Sequence, residues 1–256
     1  MPTDQTEASK RSDNNDLANL VRELRDAQAD NLASIVLYGA TAIAGDADHR
    51  SDHNVLVVLR HADFADLESC AQALRAWLKA RQLPPVIFTV DELQRAADVF
   101  PVEFLQMETA RKILFGEDPF KTLDISAENL RHQTEYDLRT KFIQLRRLYV
   151  ARKPSGTDLT HLMLDSFGSF AALFRAVLML HGRRPALTKA DAVRATVELL
   201  QLNAEPFDWI IARKSAARAA PVGEVEAMFA SYLKEIGRVI DAVDTLTGTD
   251  AIAPGS

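Results

Sequence analysis

The sequence has little that could cross-link a fold or hold it in a membrane. Cys70 is the single cysteine among 256 residues, which excludes an internal disulfide and a cysteine-based zinc cluster. No uninterrupted apolar run reaches the ~18 residues of a membrane span. The polar first 15 residues lack the apolar segment of a signal peptide. These absences predict a cytoplasmic protein without membrane contact.

An excess of positive charge is also missing. The formal net charge is -6, and it is uneven along the chain. Residues 1–125 hold 13 Lys and Arg against 21 Asp and Glu, a net charge of -8, whereas residues 126–256 hold 17 against 15, a net charge of +2. Binding to nucleic acid requires a basic face. The charge therefore argues against a nucleic-acid partner, above all for the first half.

The first half of the chain alternates between helical and strand patterns. Residues 1–15 are polar and are predicted to form a disordered tail. Apolar residues then recur with helical spacing or form short β-branched runs. Helices are predicted over 16–33, 63–83 and 91–100, and strands over 34–40, 54–60, 84–90, 102–107 and 112–118.

The second half carries helical patterns alone. Its predicted helices are 128–152, 158–182, 187–202, 206–216 and 223–246. Elements segregated in this way are typical of an α+β protein. The sequence thus predicts an N-terminal domain over 16–125, with a mixed β-sheet and flanking helices, and a C-terminal all-α helical bundle over 126–248.

The stretch between the first two predicted strands carries the residues suited to chemistry. Gly39 ends one strand, where a backbone must turn sharply or approach a ligand closely. Asp52 lies just before the next strand and Asn54 is two residues further on, so the two are predicted to point to one side and His53 to the other. Two carboxylates at this spacing would hold a divalent metal ion and, through it, a triphosphate. This chain offers Asp52 as a carboxylate and Asn54 as a neutral amide.

The order Gly39-Ala40, eleven residues, then Asp52-His53-Asn54 resembles the signature of the nucleotidyltransferase superfamily that includes DNA polymerase β. The layout is most similar to the kanamycin-type aminoglycoside nucleotidyltransferases and to minimal nucleotidyltransferases. This resemblance implies ATP or another nucleoside triphosphate as ligand, held near Gly39 and Ala40. It implies Mg²⁺ on Asp52, Asn54 and a third acid on a later strand, for which Glu103 is the candidate.

Two positions depart from the pattern of that superfamily. The serine that helps to hold the triphosphate is Ala40 here, and the second metal-binding carboxylate is Asn54. An amide oxygen can coordinate Mg²⁺ but carries no charge, so the metal site is weakened or lost. Glu103 has no second acid beside it on its predicted strand.

The resemblance to kanamycin-type enzymes also implies roles on the first long helix of the second half. Glu135 would act as the catalytic base, and Arg139 or Lys141 would contact phosphate; Glu103 is the other acid considered for catalysis. Glu135 and Arg139 are four residues apart and share a helix face. The simpler interpretation is a surface ion pair without a catalytic role.

Three functional hypotheses follow. The leading one is a protein of nucleotidyltransferase fold with a weakened metal site, a pseudoenzyme that binds nucleotide or a partner and transfers little or nothing. The second is an active Mg²⁺-dependent enzyme that transfers AMP from ATP to a hydroxyl of a small molecule or protein. The third is a toxin–antitoxin or scaffold component that acts through its helical domain on a protein partner or as a homodimer.

Overall fold

The computed structural model describes residues 3–39, 41–42, 53–152, 155–184, 186, 188–215 and 221–246. Side chains are described from residue 15 onward, except at 152 and 215. The chain divides into two compact units, residues 1–124 and 125–256. The sequence placed the same division one residue later.

Unit 1 contains four strands with helices before and between them. Helix α1 spans Thr3–Gln28 and is followed by a short 3-10 turn. The other elements are β1 (Leu32–Tyr38), β2 (Asn54–Leu59), α2 (Phe64–Ala73), α3 (Arg75–Lys79), β3 (Val86–Thr89), α4 (Val90–Arg95), α5 (Pro101–Thr109) and β4 (Arg111–Gly116).

The four strands form one mixed sheet in the order β3-β2-β1-β4. Strand β1 runs antiparallel to both β2 and β4, whereas β2 and β3 are parallel. Parallel neighbours need a crossover connection, which α2 and α3 provide here. The end of β1 and the starts of β2 and β4 therefore meet at one edge of the sheet.

One face of this sheet packs under helices α1, α2 and α3. Alternate residues of β2 point to this face, as the period of two requires. They join side chains of the helices in a single buried cluster that includes Leu24, Ile35, Val57, Cys70 and Trp77. In a separate contact, the ring of Phe104 on α5 lies edge-on to the ring of Phe88 on β3.

The structure corrects the prediction of a strand over 102–107. Those residues belong to α5, which has Pro101 in its first turn. Proline is well tolerated there because the first N–H groups of a helix have no partner within the helix. A short apolar run cannot be assigned to strand or helix by periodicity alone, and Glu103 consequently lies on a helix.

Helix α1 extends further toward the N-terminus than the sequence predicted. It begins at Thr3, so residues 3–15 are helical where a disordered tail was predicted. The segment after Pro2 contains no glycine or proline and several strong helix formers. Polarity alone therefore did not exclude a helix in this part of the chain.

Unit 2 consists of helices throughout its described residues. These are α6 (Ala127–Arg152), α7 (Gly156–Leu180), α8 (Lys189–Leu199), α9 (Glu205–Ser215) and α10 (Val222–Asp244). Aromatic rings join three of them: Phe207 of α9 lies edge-on to Phe174 of α7 and to Tyr232 of α10. The mixed sheet followed by an all-helical unit confirms the predicted α+β class.

Helix α7 is the most apolar helix of unit 2. By length and composition it could cross a membrane, but 56% of its apolar window is buried inside the protein. Its buried side chains include Leu159, Met163, Phe170 and Phe174. This burial is typical of a helix in the core of a domain.

Candidate functional site

The candidate site of unit 1 lies at the sheet edge where β1 ends and β2 and β4 begin. Tyr38 is paired with Asn54 on one side and with Arg111 on the other. Directly opposed residues of antiparallel strands share a face, so these three side chains lie on the face opposite the helical cluster. The backbone N–H of Gly39 donates to the Ala110 carbonyl at 2.8 Å and fixes the end of β1 beside β4.

Gly39 adopts a backbone conformation that suits only glycine. Its φ is +85°, and a Cβ atom there would lie 3.3 Å from Asn54 Nδ2. The missing side chain therefore lets the Asn54 amide lie close beside the Gly39 backbone. Such bare backbone next to polar groups is suited to a ligand that approaches closely, such as a phosphate group.

Asn54 and His53 point to opposite sides of the sheet, as the alternation predicts. His53 is buried, its ring lies 6.0 Å from that of Trp77, and its Nδ1 is 3.2 Å from Gln82 Oε1. The imidazole is thus part of the packed side of the sheet. Asn54 is the residue of this pair that faces the candidate site.

The described residues of unit 1 do not supply the carboxylate set that Mg²⁺ would need. Asp52 and Ala40 lie outside the described residues. Glu103 stands exposed in the first turn of α5, seven residues before Ala110, or roughly 10 Å along a helix. Within the described part of the chain, no group of three His, Cys, Asp or Glu side chains could hold a metal ion. The metal-binding roles of Asp52, Asn54 and Glu103 therefore stay predictions.

Arg111 brings a guanidinium group to the same edge, which the sequence analysis missed. Its Nη2 lies 2.7 Å from Asp118 Oδ2, its Nη1 donates to the Glu108 carbonyl, and its guanidinium stacks on Phe120 at 5.5 Å. Burial alone would raise the pKa of the Asp118 carboxyl, but the hydrogen bonds from Arg111 and the Phe120 N–H hold that pKa below its usual value.

Replacing Asp118 with asparagine should destabilise unit 1 in a pH-dependent way. Because the pKa of Asp118 is lowered on folding, the ionised carboxylate stabilises the folded state above its unfolded pKa, near 4. That stabilisation is lost as the pH falls through the folded pKa. We expect D118N to cost about 2 kcal/mol at pH 7 and progressively less below about pH 4. Urea unfolding at both pH values measures this, and a difference independent of pH would contradict it.

A cleft of about 320 Å³ in unit 1 lies away from these residues. Its walls include Ala33, Ser34, Val58 and Arg60, at the opposite ends of β1 and β2. It does not contain Gly39 or Asn54. The cleft is therefore separate from the candidate site.

In unit 2, Glu135 and Arg139 form the ion pair that their spacing indicates. Arg139 Nε lies 2.7 Å from Glu135 Oε1, and Arg131 reaches the other carboxylate oxygen at 3.1 Å. Arg139 also contacts Asp244 at 3.1 Å. The hydrogen bond from Arg139, followed by the nearby guanidinium charges, lowers the pKa of Glu135 despite partial burial.

This pairing bears on the roles that the resemblance implied for α6. A general base works best with a pKa near the working pH, and a pKa lowered by two arginines makes Glu135 a weak one. Arg139 has both its partners within the unit, and Lys141 is half-buried on the same helix. The catalytic role of Glu135 and the phosphate contacts of Arg139 and Lys141 stay predictions.

Two lysines of unit 2 form a feature that sequence reasoning did not find. The Lys214 ammonium lies 4.7 Å from the Phe167 ring centre, and burial, then the charge of Lys189, lowers its pKa. A Cβ at Gly168 would lie 3.7 Å from Lys189 Nζ. The two residues are 25 positions apart in sequence, so no local pattern marks the pair.

No protein-family model and no curated protein matches this sequence. Among solved structures, the chain is similar to the spectinomycin adenyltransferase AAD(9) from Enterococcus faecialis, solved with ATP and spectinomycin. The identity is 13% and the TM-score is 0.48, over 90% of this chain and 97% of that one. The function proposed below rests on the residues of this chain and not on that similarity.

Proposed function

We propose that this chain is a nucleotide-binding protein of nucleotidyltransferase fold with a weakened metal site and little or no transfer activity. The observation that carries the proposal is the amide of Asn54 beside the bare backbone of Gly39. The sequence motif requires a carboxylate at this position. The amide keeps one acceptor oxygen, replaces the other with an NH2 donor, and lacks the charge of a carboxylate.

The missing charge weakens metal binding more than nucleotide binding. One unit charge 4 Å from another is worth about 4 kcal/mol at an effective dielectric constant of 20, and the partner here would be a divalent cation. A triphosphate, in contrast, is a hydrogen-bond acceptor and can use backbone N–H groups and the Asn54 amide as donors. The proposal is therefore ATP or a related nucleotide bound with little help from Mg²⁺.

The missing charge at position 54 would also weaken nucleotidyl transfer. In phosphoryl and nucleotidyl transfer, metal ions neutralise the charge that develops on the attacking and leaving oxygens. Of the residues considered for that task, Asn54 is neutral, and Glu103 lies on helix α5 and not on the predicted strand. An active AMP-transferring enzyme remains the alternative, and it would require Asp52 together with a second carboxylate.

Titration calorimetry with ATP tests the binding claim. We expect the natural protein to bind ATP, with an affinity that changes less than about threefold between Mg²⁺ and a chelator. G39A should weaken binding at least tenfold, because its methyl group would fill the space beside Asn54.

Gly237 provides the matched control for this experiment. It lies on α10, and a Cβ there would meet nothing within 4 Å, so G237A should bind ATP as the natural protein does. Affinities are compared on samples whose circular dichroism shows the folded state. The absence of heat with ATP, with and without Mg²⁺, would refute the proposed function.

A further inference from the structure

Helix α6 carries an exposed apolar line that the packing of unit 2 does not use. Tyr136, Ile143 and Val150 follow one another at intervals of seven residues, and they are 69%, 56% and 78% exposed. Seven residues correspond to about 20° less than two full turns, so the three side chains lie along one side of the helix. The opposite side of α6 is buried through residues such as Leu138 and Leu145.

Two arginines flank this apolar line. Arg146 and Arg147 are both exposed, and neither forms an ion pair with the described residues of the chain. Together with Ile143, Val150 and Ala151 they line a shallow groove of about 470 Å³. We call Tyr136, Ile143, Arg146, Arg147 and Val150 the outer face of α6.

Ring contacts beside the outer face hold helix α6 in place. Tyr149 stacks on Phe229 of α10 with the ring centres 5.1 Å apart, and the Arg146 guanidinium lies 3.9 Å from the Phe142 ring centre. The outer face thus presents exposed apolar side chains and two arginines that form no ion pair with the described residues.

Exposed apolar side chains along one side of a helix can contact the apolar face of an amphipathic helix from another protein. We infer that the outer face of α6 is a docking surface for an acidic amphipathic helix of a partner protein. The partner helix would place apolar side chains along Tyr136, Ile143 and Val150 and carboxylates opposite Arg146 and Arg147. This inference does not depend on nucleotide binding.

The charges argue against a second copy of this chain as the occupant. An antiparallel two-fold centred on Ile143 would place Arg139 opposite Arg147, and one centred between Ile143 and Val150 would place Arg146 opposite Arg147. A parallel two-fold would place every arginine opposite itself. Like charges facing one another oppose association, so the face suits a partner of the other sign.

Two synthetic helical peptides test the inference. Both carry three heptads with leucine at the first and fourth positions; one has glutamate and the other lysine at the flanking positions. Fluorescence anisotropy with the full chain should show the glutamate peptide binding at least tenfold tighter than the lysine peptide. I143N should weaken the glutamate peptide about tenfold, since central apolar contacts contribute most to such interfaces.

Reversing the charge of Arg146 and Arg147 tests the inference most specifically. The double variant R146E/R147E should reverse the preference and bind the lysine peptide more tightly. R183E/R184E, which changes two adjacent exposed arginines elsewhere, is the matched control and should keep the preference of the natural protein.

Several results would overturn the inference. Equal binding of both peptides, or binding of neither, would contradict the inference that the partner helix is acidic. A dimer by light scattering that I143N converts to a monomer would show that a second copy covers the face. Tighter binding of a single-stranded RNA oligonucleotide than of the glutamate peptide, lost in R146E/R147E, would assign the face to RNA.

Discussion

G116A should lower the free energy of unfolding of unit 1 far more than the same added methyl group would at any other described glycine. Gly116 closes β4 with φ +75°, and a Cβ there would lie 2.0 Å from the Ala33 carbonyl oxygen. That oxygen is backbone, so it cannot move aside as a flexible side chain could. Gly116 is also paired with Ser34 across the β1–β4 ladder, and relief of the clash would have to separate these strands.

The expected cost of G116A is about 3 kcal/mol or more, which is large for a single substitution. Positive φ contributes about 1–2 kcal/mol of it, and the clash contributes the rest. Urea unfolding followed by circular dichroism measures the change.

The control adds the same methyl group at Gly237, which lies in the middle of α10 with nothing within 4 Å. G237A should raise stability by about 0.5–1 kcal/mol, because alanine favours a helix over glycine. Equal urea midpoints for G116A and the natural protein would contradict the close approach of β4 to the Ala33 carbonyl.

N54D should convert nucleotide binding from independent of Mg²⁺ to dependent on it. The substitution replaces the side-chain NH2 group with an oxygen atom. The volume hardly changes, so the fold should be preserved. It adds the carboxylate that the sequence motif requires for a metal site. We expect the affinity for ATP with Mg²⁺ to rise at least about tenfold, the lower end of what changes around a metal site produce.

The same substitution should weaken ATP binding in the presence of a chelator, because two carboxylates would then repel the triphosphate. The two opposite changes distinguish a restored metal site from a general gain in affinity. The matched control is N19D, which places the same change at an exposed position of helix α1, outside the site. An N54D protein that behaves like the natural protein in both conditions would refute the role given to Asn54.

Much of the fold could be predicted from the sequence because its helices and strands have strong local signals. Thr188 and Asp191 show capping-box spacing, and in the structure the Thr188 side chain accepts the Asp191 N–H at the start of α8. The apolar runs around Val36 and Val57 are buried strands, as their β-branched composition indicates. These features depend on neighbours within a few residues.

The errors arose where longer-range contacts decide. The run after Pro101 is equally compatible with strand and helix, and its contacts with Phe88 and Phe120 place it on the sheet as a helix. Arg111 acquires its position through Asp118 and through pairing with Tyr38. No spacing rule in the sequence connects these residues.

The residues of the candidate site were also predictable from the sequence to different degrees. The structure places the Gly39 backbone beside the Asn54 amide, and the functional roles of both residues stay predictions. The choice of Glu103 as the third acid depends on a strand over 102–107, which is helix α5 in the structure. Asp52 and Ala40 lie outside the described residues, so their roles stay predictions.

Incubation of the natural protein with labelled ATP and Mg²⁺ tests the central claim most directly. The reactions should contain aminoglycosides or a cell lysate as the source of hydroxyl acceptors, at protein concentrations where calorimetry shows bound ATP. The account predicts no labelled product above a reaction without protein, although nucleotide is bound. Labelled product that forms with the natural protein and disappears with D52A would contradict it and establish an active nucleotidyltransferase.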